Sequence, residues 1–124
     1  MGGQRIETAE FSGRVLMLGC GSIGQAMLPL LRRHLTLPDD GLTVLEASEQ
    51  GRALAAANQA RFVHCHLKPA TYQRELRRRL KAGDLLLNLS VDVSSLDLVE
   101  WCAAHGVLYV DTSIEPWPGV FDNP

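Results

Sequence analysis

A chain of 124 residues with 46% hydrophobic content is long enough to bury a core as one domain without staples, and its formal charge of -2 gives no electrostatic footprint for nucleic acid. Three cysteines, none in a Cys-x-x-Cys pair, no secretory segment and no apolar run approaching the roughly 20 residues of a membrane helix lead us to expect a reducing, cytoplasmic setting and no membrane contact. No internal repeat or low-complexity segment breaks the chain.

Met1 to Gly13 shows no strong period and reads as a tail whose Phe11 covers one end of a sheet. Val15-Leu16-Met17-Leu18 is then four apolar residues without alternation, as a strand buried on both faces of a parallel sheet requires. It runs directly into Gly19-x-Gly21-x-x-Gly24, the dinucleotide-binding spacing. In that pattern Gly19 allows the tight turn, Gly21 lets a pyrophosphate approach the backbone, and Gly24 lets the following helix pack against the strand. The N–H groups of the helix start, at Ser22 and Ile23, then face the anion. The helix is expected from Ser22 to about His34, with Pro29 inside it and Arg32, Arg33 and His34 at its negative C-terminal end.

Pro38-Asp39-Asp40-Gly41 breaks the chain, and Leu42 to Glu46 forms the second strand. Glu46 falls where the fingerprint places an acid for ribose hydroxyls; the plainer reading is a strand-end surface carboxylate. Ser48 is the expected cap of a helix through Arg52, Leu54, Ala55 and Ala57. Arg61 to about Cys65 is a third strand, and Thr71 to Lys81 a helix burying Tyr72, Leu76 and Leu80 at spacing four. The Arg77-Arg78-Arg79-Lys81 cluster lies on its solvated face, and Gly83 stops it. Leu85 to Leu89 is a fourth strand. Ser94 or Ser95 caps a helix carrying Leu98, Val99, Cys102 and Ala103 up to Gly106, and Val107 to Asp111 is the fifth strand.

Strands alternating with helices call for right-handed crossovers and a doubly wound, Rossmann-type parallel sheet of order 3-2-1-4-5, with ligands beyond the strand C-terminal ends. Glu46, His66, Asn88, Ser90, Asp92, Asp111, Thr112 and Glu115 all fall at or just after such ends. His64 and His66 share a strand face at spacing two, a conceivable metal pair without a suggested third ligand, so they are read as structural and no metal is expected. Cys20 beside a helix N-terminus is either a thiol of lowered pKa or a small packing residue, and packing is favoured.

Three segments together resemble the homospermidine synthase family. They are Leu18 to Gln25 with Leu28-Pro29-Leu30, then Asn88-Leu89-Ser90-Val91-Asp92 with Ser94 to Leu98, then Tyr109-Val110-Asp111-Thr112 with Glu115-Pro116-Trp117. The Asn-Leu-Ser-Val-Asp and Glu-Pro-Trp pieces are the specific ones, whereas the glycine turn fits the wider saccharopine dehydrogenase-like group equally well. The resemblance runs from about Arg14 to Trp117 and covers only that family's N-terminal region. It implies a tail over 1–13, an NAD-binding domain over 14–112, and a substrate-side segment over 113–124 leading to a second, catalytic domain.

The resemblance further implies an NAD-dependent transferase that removes hydride from putrescine, lets a second putrescine attack the imine with loss of ammonia, and returns the hydride to give homospermidine. Carried over by motif, the cofactor positions are Gly19, Gly21, Ser22, Ile23, Gly24, Glu46, Asn88, Leu89, Ser90, Val91 and Thr112, while Asp92, Glu115 and Trp117 face the diamine. His66 departs from the family's usual small residue on the loop after the third strand. A diamine dication and a cationic imine both call for carboxylates, which Asp92 and Glu115 supply, and the face of Trp117 is worth up to about 2 kcal/mol to a desolvated cation. Asp92 as a helix cap and Trp117 as packing against another domain are the plainer alternatives. This segment alone is expected to be inactive, and a homodimer is left open. A stand-alone NAD-sensing module and a saccharopine-type reductase domain, which would call for arginines facing a carboxylate, are the competing functions.

Overall fold

The structure, a computed structural model, describes residues 9–90, 93–112 and Trp117. Its main sheet holds five parallel strands: β2 (Val15–Leu18), β4 (Leu42–Glu46), β5 (Arg61–His64), β6 (Leu85–Asn88) and β7 (Leu108–Asp111). Their spatial order is β5-β4-β2-β6-β7, which is the expected 3-2-1-4-5 once the five are counted along the chain. The register sets Leu18 beside both Leu45 and Asn88, so the three central strands end level with one another. A level edge at the C-terminal ends is what forms a cleft at the point where strand order reverses.

Alternate residues of each strand feed two cores. Leu16, Leu18, Leu45 and Leu86 face helices α3 (Tyr72–Arg79) and α4 (Ser95–His105), where Leu76 and Leu98 are fully buried. Val15, Met17, Val44 and Leu87 face α1 (Ser22–His34) and α2 (Arg52–Ala57) on the other side. Burial on both faces explains why the strands read as continuous apolar runs. Asp84, itself buried, joins the two halves at the opposite end of the sheet: its carboxylate accepts the Arg14 N–H at 2.9 Å and the Lys81 N–H at 2.8 Å.

Two local features differ from the sequence expectation, and a third settles an alternative that it left open. The stretch before β2 is not featureless, because β1 (Ala9–Glu10) pairs in parallel with β3 (Leu35–Thr36), and the Phe11 N–H donates to the Thr36 carbonyl at 3.0 Å. Phe11 does pack against the Val15–Met17 side of the core. Second, α2 begins at Arg52 behind Gly51, and Ser48 does not cap it. Gly51 sits at φ 88°, pressed onto the Cys20 side chain, a left-handed position that favours glycine and that a serine cap would not fill. Third, α4 is capped by Ser94 and not Ser95; the Ser94 hydroxyl accepts the Asp97 N–H at 3.3 Å.

Candidate functional site

The strand-to-helix turn after β2 opens a cleft of about 520 Å³ at the C-terminal edge of the sheet. Gly19 adopts φ +86°, and a Cβ there would stand 3.1 Å from the backbone of Leu89 and Ser90, so both conformation and crowding demand glycine. A Cβ on Gly24 would stand 3.0 Å from the Gly19 carbonyl oxygen, which explains the third glycine as close packing of α1 on the turn. Gly21 is different. Its φ of -75° suits any residue, and a Cβ there would meet nothing within 4 Å. The protein itself leaves that space open, directly before the start of α1.

No described side chain caps α1, and no acid lies in its first turn. The leading N–H groups of a helix have no intrahelical partner and carry the positive end of the helix dipole. Gly21, Ser22, Ile23 and Gly24 line the cleft at that end. An uncapped helix start, free of acids, with a bare glycine in front of it is a receptor for a phosphate or diphosphate.

The β4 side of the cleft carries Glu46, Ala47, Ser48 and Gln50. Ser48 Oγ donates to Glu46 Oε2 at 3.4 Å and accepts the Gln50 N–H at 3.2 Å, which holds the carboxylate at the rim. Cys65, His66 and Leu67 continue this wall after β5. Cys20 is fully buried at its base, and burial first, then the nearby Glu46 charge, pushes its thiol pKa up. That direction favours the packing role, since a redox-sensing thiolate needs a lowered pKa.

The β6 and β7 side is built differently. Leu89 and Ser90 line the cleft, but the Asn88 side chain is fully buried and does not reach it. Its amide Nδ2 donates to Tyr109 Oη at 3.1 Å and to Asp111 Oδ2 at 3.4 Å, and its Oδ1 accepts the Ser90 N–H at 3.0 Å. Tyr109 Oη in turn donates to Asp111 Oδ2 at 2.5 Å. Burial, then the hydrogen bond to Asp111, holds the Tyr109 hydroxyl well above its ordinary range. Asn88 thus holds Ser90, just after β6, in place. Tyr109 has a role at the site that the sequence reading does not assign to it; its signal there is alternation with Asp111 on a strand that pairs with that of Asn88. Thr112 is exposed, and its N–H donates to the Asn88 carbonyl at 3.4 Å.

Of the expected substrate-side residues, Asp92 and Glu115 lie outside the described residues, as does Val91 among the cofactor positions. Trp117 leans on the α3 and α4 side of the core. Its indole N–H donates to Asp97 Oδ2 at 2.6 Å, and its ring lies 5.5 Å from that of Tyr72, tilted by 55°. His64 is committed locally: Nε2 bonds the Ala47 carbonyl at 2.9 Å, and Nδ1 lies 3.1 Å from Glu49 Oε1. Among the described residues no group of three or more His, Cys, Asp or Glu is placed to hold a metal, and no helix is long and apolar enough to cross a membrane.

Residues 15–120 match the family described as the saccharopine dehydrogenase NADP binding domain. Homospermidine synthase of Blastochloris viridis is 40% identical over 118 residues, which cover 93% of this chain and 25% of that protein. Homospermidine synthase of Mesorhizobium japonicum is 38% identical over 115 residues, covering 90% and 24%. The crystal structure of homospermidine synthase from Legionella pneumophila in complex with NAD matches with a TM-score of 0.87 at 27% identity, over 94% of this chain and 25% of that one. The chain spans about a quarter of the length of the curated relatives it matches.

Proposed function

Because this chain belongs to the family of saccharopine dehydrogenase NADP binding domains, we propose that it is the NAD-binding domain of a homospermidine synthase. The observation that carries this reading is the open, uncapped glycine turn with Glu46 beside it, in a chain that follows an NAD-bound homospermidine synthase over nearly its whole length. The residues present fit the cofactor. The start of α1 receives the pyrophosphate, and Glu46 accepts the hydroxyls of the adenosine ribose. The same carboxylate repels a 2′-phosphate, so NAD is preferred although the family description names NADP.

Bound NAD would supply a hydride acceptor and donor for an amine-bearing carbon. The chain's own residues hold and surround it. Leu89 and Ser90 follow β6 and Thr112 follows β7, and Asn88 holds the Ser90 and Thr112 N–H groups with its side-chain and main-chain oxygens; Val91 is assigned to the cofactor by its motif alone. Asp92 and Glu115 provide carboxylates for a diamine dication such as putrescine, and Trp117, its N–H held by Asp97, offers a ring to the cationic imine. The residues that line the cleft are one side of a site; since the chain spans about a quarter of its relatives, the rest of such a polypeptide is expected to supply the other side, and the 124-residue chain alone is expected to form no homospermidine from putrescine.

Calorimetric titration with NAD and NADP tests the reading. NAD is expected to bind more tightly, and Glu46→Ala to lose NAD affinity by about tenfold, the worth of one or two hydrogen bonds to a charged group. Tighter NADP binding, or unchanged NAD affinity in Glu46→Ala, refutes it.

A further inference from the structure

A second cleft, of about 440 Å³, lies at the opposite edge of the sheet, where β2, β4 and β5 begin. The strands between the two clefts are four or five residues long, so at roughly 3.3 Å per residue the sites are separated by the depth of the sheet and share no residue. Leu16 and Val63 form its apolar floor, both on the sheet face that packs under α3. Arg61 precedes Val63 by two residues and so shares that face, and its register partner is Thr43. Arg78 and Arg79, from the last turn of α3, complete the wall, and Arg14 stands at the start of β2.

Four guanidinium groups in one concavity are unexpected in a chain of net charge -2. Two of them are compensated: Arg79 Nη1 lies 2.7 Å from Glu75 Oε2, and Arg78 Nη1 lies 3.5 Å from Glu75 Oε1. The Arg14 and Arg61 side chains make no hydrogen bond or ion pair with any described residue. Arg14 is nevertheless rooted, because its N–H is held by Asp84 and its carbonyl accepts the Leu85 N–H at 2.8 Å. The acid among the lining residues is Asp40, in the turn before β4.

We propose that this cleft binds a small anion bearing a phosphate or diphosphate group, held between the forks of Arg14 and Arg61. A planar guanidinium presents paired N–H donors matched to two phosphate oxygens, and the cleft volume is that of a small-molecule site with an apolar floor and convergent polar groups. Repulsion between the uncompensated guanidiniums falls when a dianion enters, which favours a phosphate over a single carboxylate. A flat basic face would suit a long polyanion; this site is concave and walled by α3. Asp40 limits affinity by opposing the anion from the rim.

Sodium pyrophosphate, titrated calorimetrically at constant ionic strength, tests this directly. Pyrophosphate also suits the glycine turn, so Gly21→Val serves as the control: a Cβ there meets nothing within 4 Å, and the side chain occupies the open space before α1. Arg14 and Arg61 are exposed, and replacing them leaves the core intact. Binding is expected to persist in Gly21→Val, to weaken by at least about tenfold in Arg14→Gln/Arg61→Gln, to fall partway in the double lysine variant, and to tighten in Asp40→Asn. Three results overturn the proposal. One is loss of binding in Gly21→Val with none in the arginine variant; another is heat that is equal in all variants and depends only on salt. The third is arginine-dependent binding of a hexaglutamate peptide more tightly than pyrophosphate, which makes the cleft a docking site for acidic polypeptide.

Discussion

On the β4 side of the glycine turn, Glu46 and Ser48 keep their polar atoms at the cleft surface, whereas on the β6 and β7 side Asn88, Tyr109 and Asp111 turn theirs upon one another. Glu46, Asn88 and Asp111 all end their strands, so topology alone assigns them the same part. Burial separates them. Glu46 is half-exposed and can exchange water for a ligand, but Asn88 is sealed, and its amide is consumed in holding Ser90 and the end of β7. Under the proposed function the first wall makes contacts to the cofactor, whereas the second sets the position of Ser90 at the cleft.

That contrast breaks most readily at Asn88. Asn88→Leu keeps the volume but removes the bonds to Tyr109 Oη, to Asp111 Oδ2 and from the Ser90 N–H, at about 1 kcal/mol for each hydrogen bond lost. Urea unfolding should therefore show a loss of about 3 kcal/mol, well above anything expected from Glu46→Ala. If the two variants were equally stable and differed only in NAD affinity, Asn88 would belong with the contact-making wall.

Tyr109 sharpens the comparison through pH. Its hydroxyl has a folded pKa above the unfolded value of 10.0, so the protonated form is favoured by the native state. The resulting stability is fully present below pH 10 and is lost as pH rises above it. Cys102, pushed up to about 11 by burial, acts with the same sign from pH 9 upward, but it is common to the wild type and to a Tyr109 variant. Tyr109→Phe should cost about 1 kcal/mol at pH 7 and then lose less stability than wild type between neutral pH and alkaline pH above 10. Parallel alkaline profiles would show that the hydroxyl is not held protonated by the scaffold.

What the sequence makes legible follows from the range of the interactions concerned. The glycine spacing is a local statement about backbone, so the turn, the sheet order and the two-faced strands can be read from the residues themselves. Asn88 can be placed at a strand end, but which way its amide points depends on Tyr109, 21 residues away in sequence. The bond between Trp117 and Asp97 spans 20 residues and has no periodicity to announce it. β1 and β3, at two residues each, are too short to carry an alternation pattern. Ser48 has the right chemistry for a helix cap, yet Cys20 leaves room for no side chain where α2 begins, and the serine turns to Glu46 instead.

Ser48 is therefore the finest probe of the contact-making wall. Its hydroxyl reaches Glu46 at 3.4 Å, a long bond between exposed groups, and its oxygen is tethered by the Gln50 N–H. A weak, solvated hydrogen bond contributes on the order of 0.5 kcal/mol, so Ser48→Ala should reduce NAD affinity by about two- to threefold. The melting temperature should not move, since no buried group loses its partner. The effect should also vanish in a Glu46→Ala background, because a residue that acts only by orienting a carboxylate has nothing left to orient. An additive loss in the Ser48→Ala/Glu46→Ala double variant would place the serine hydroxyl on the ribose itself, making it a contact residue in its own right.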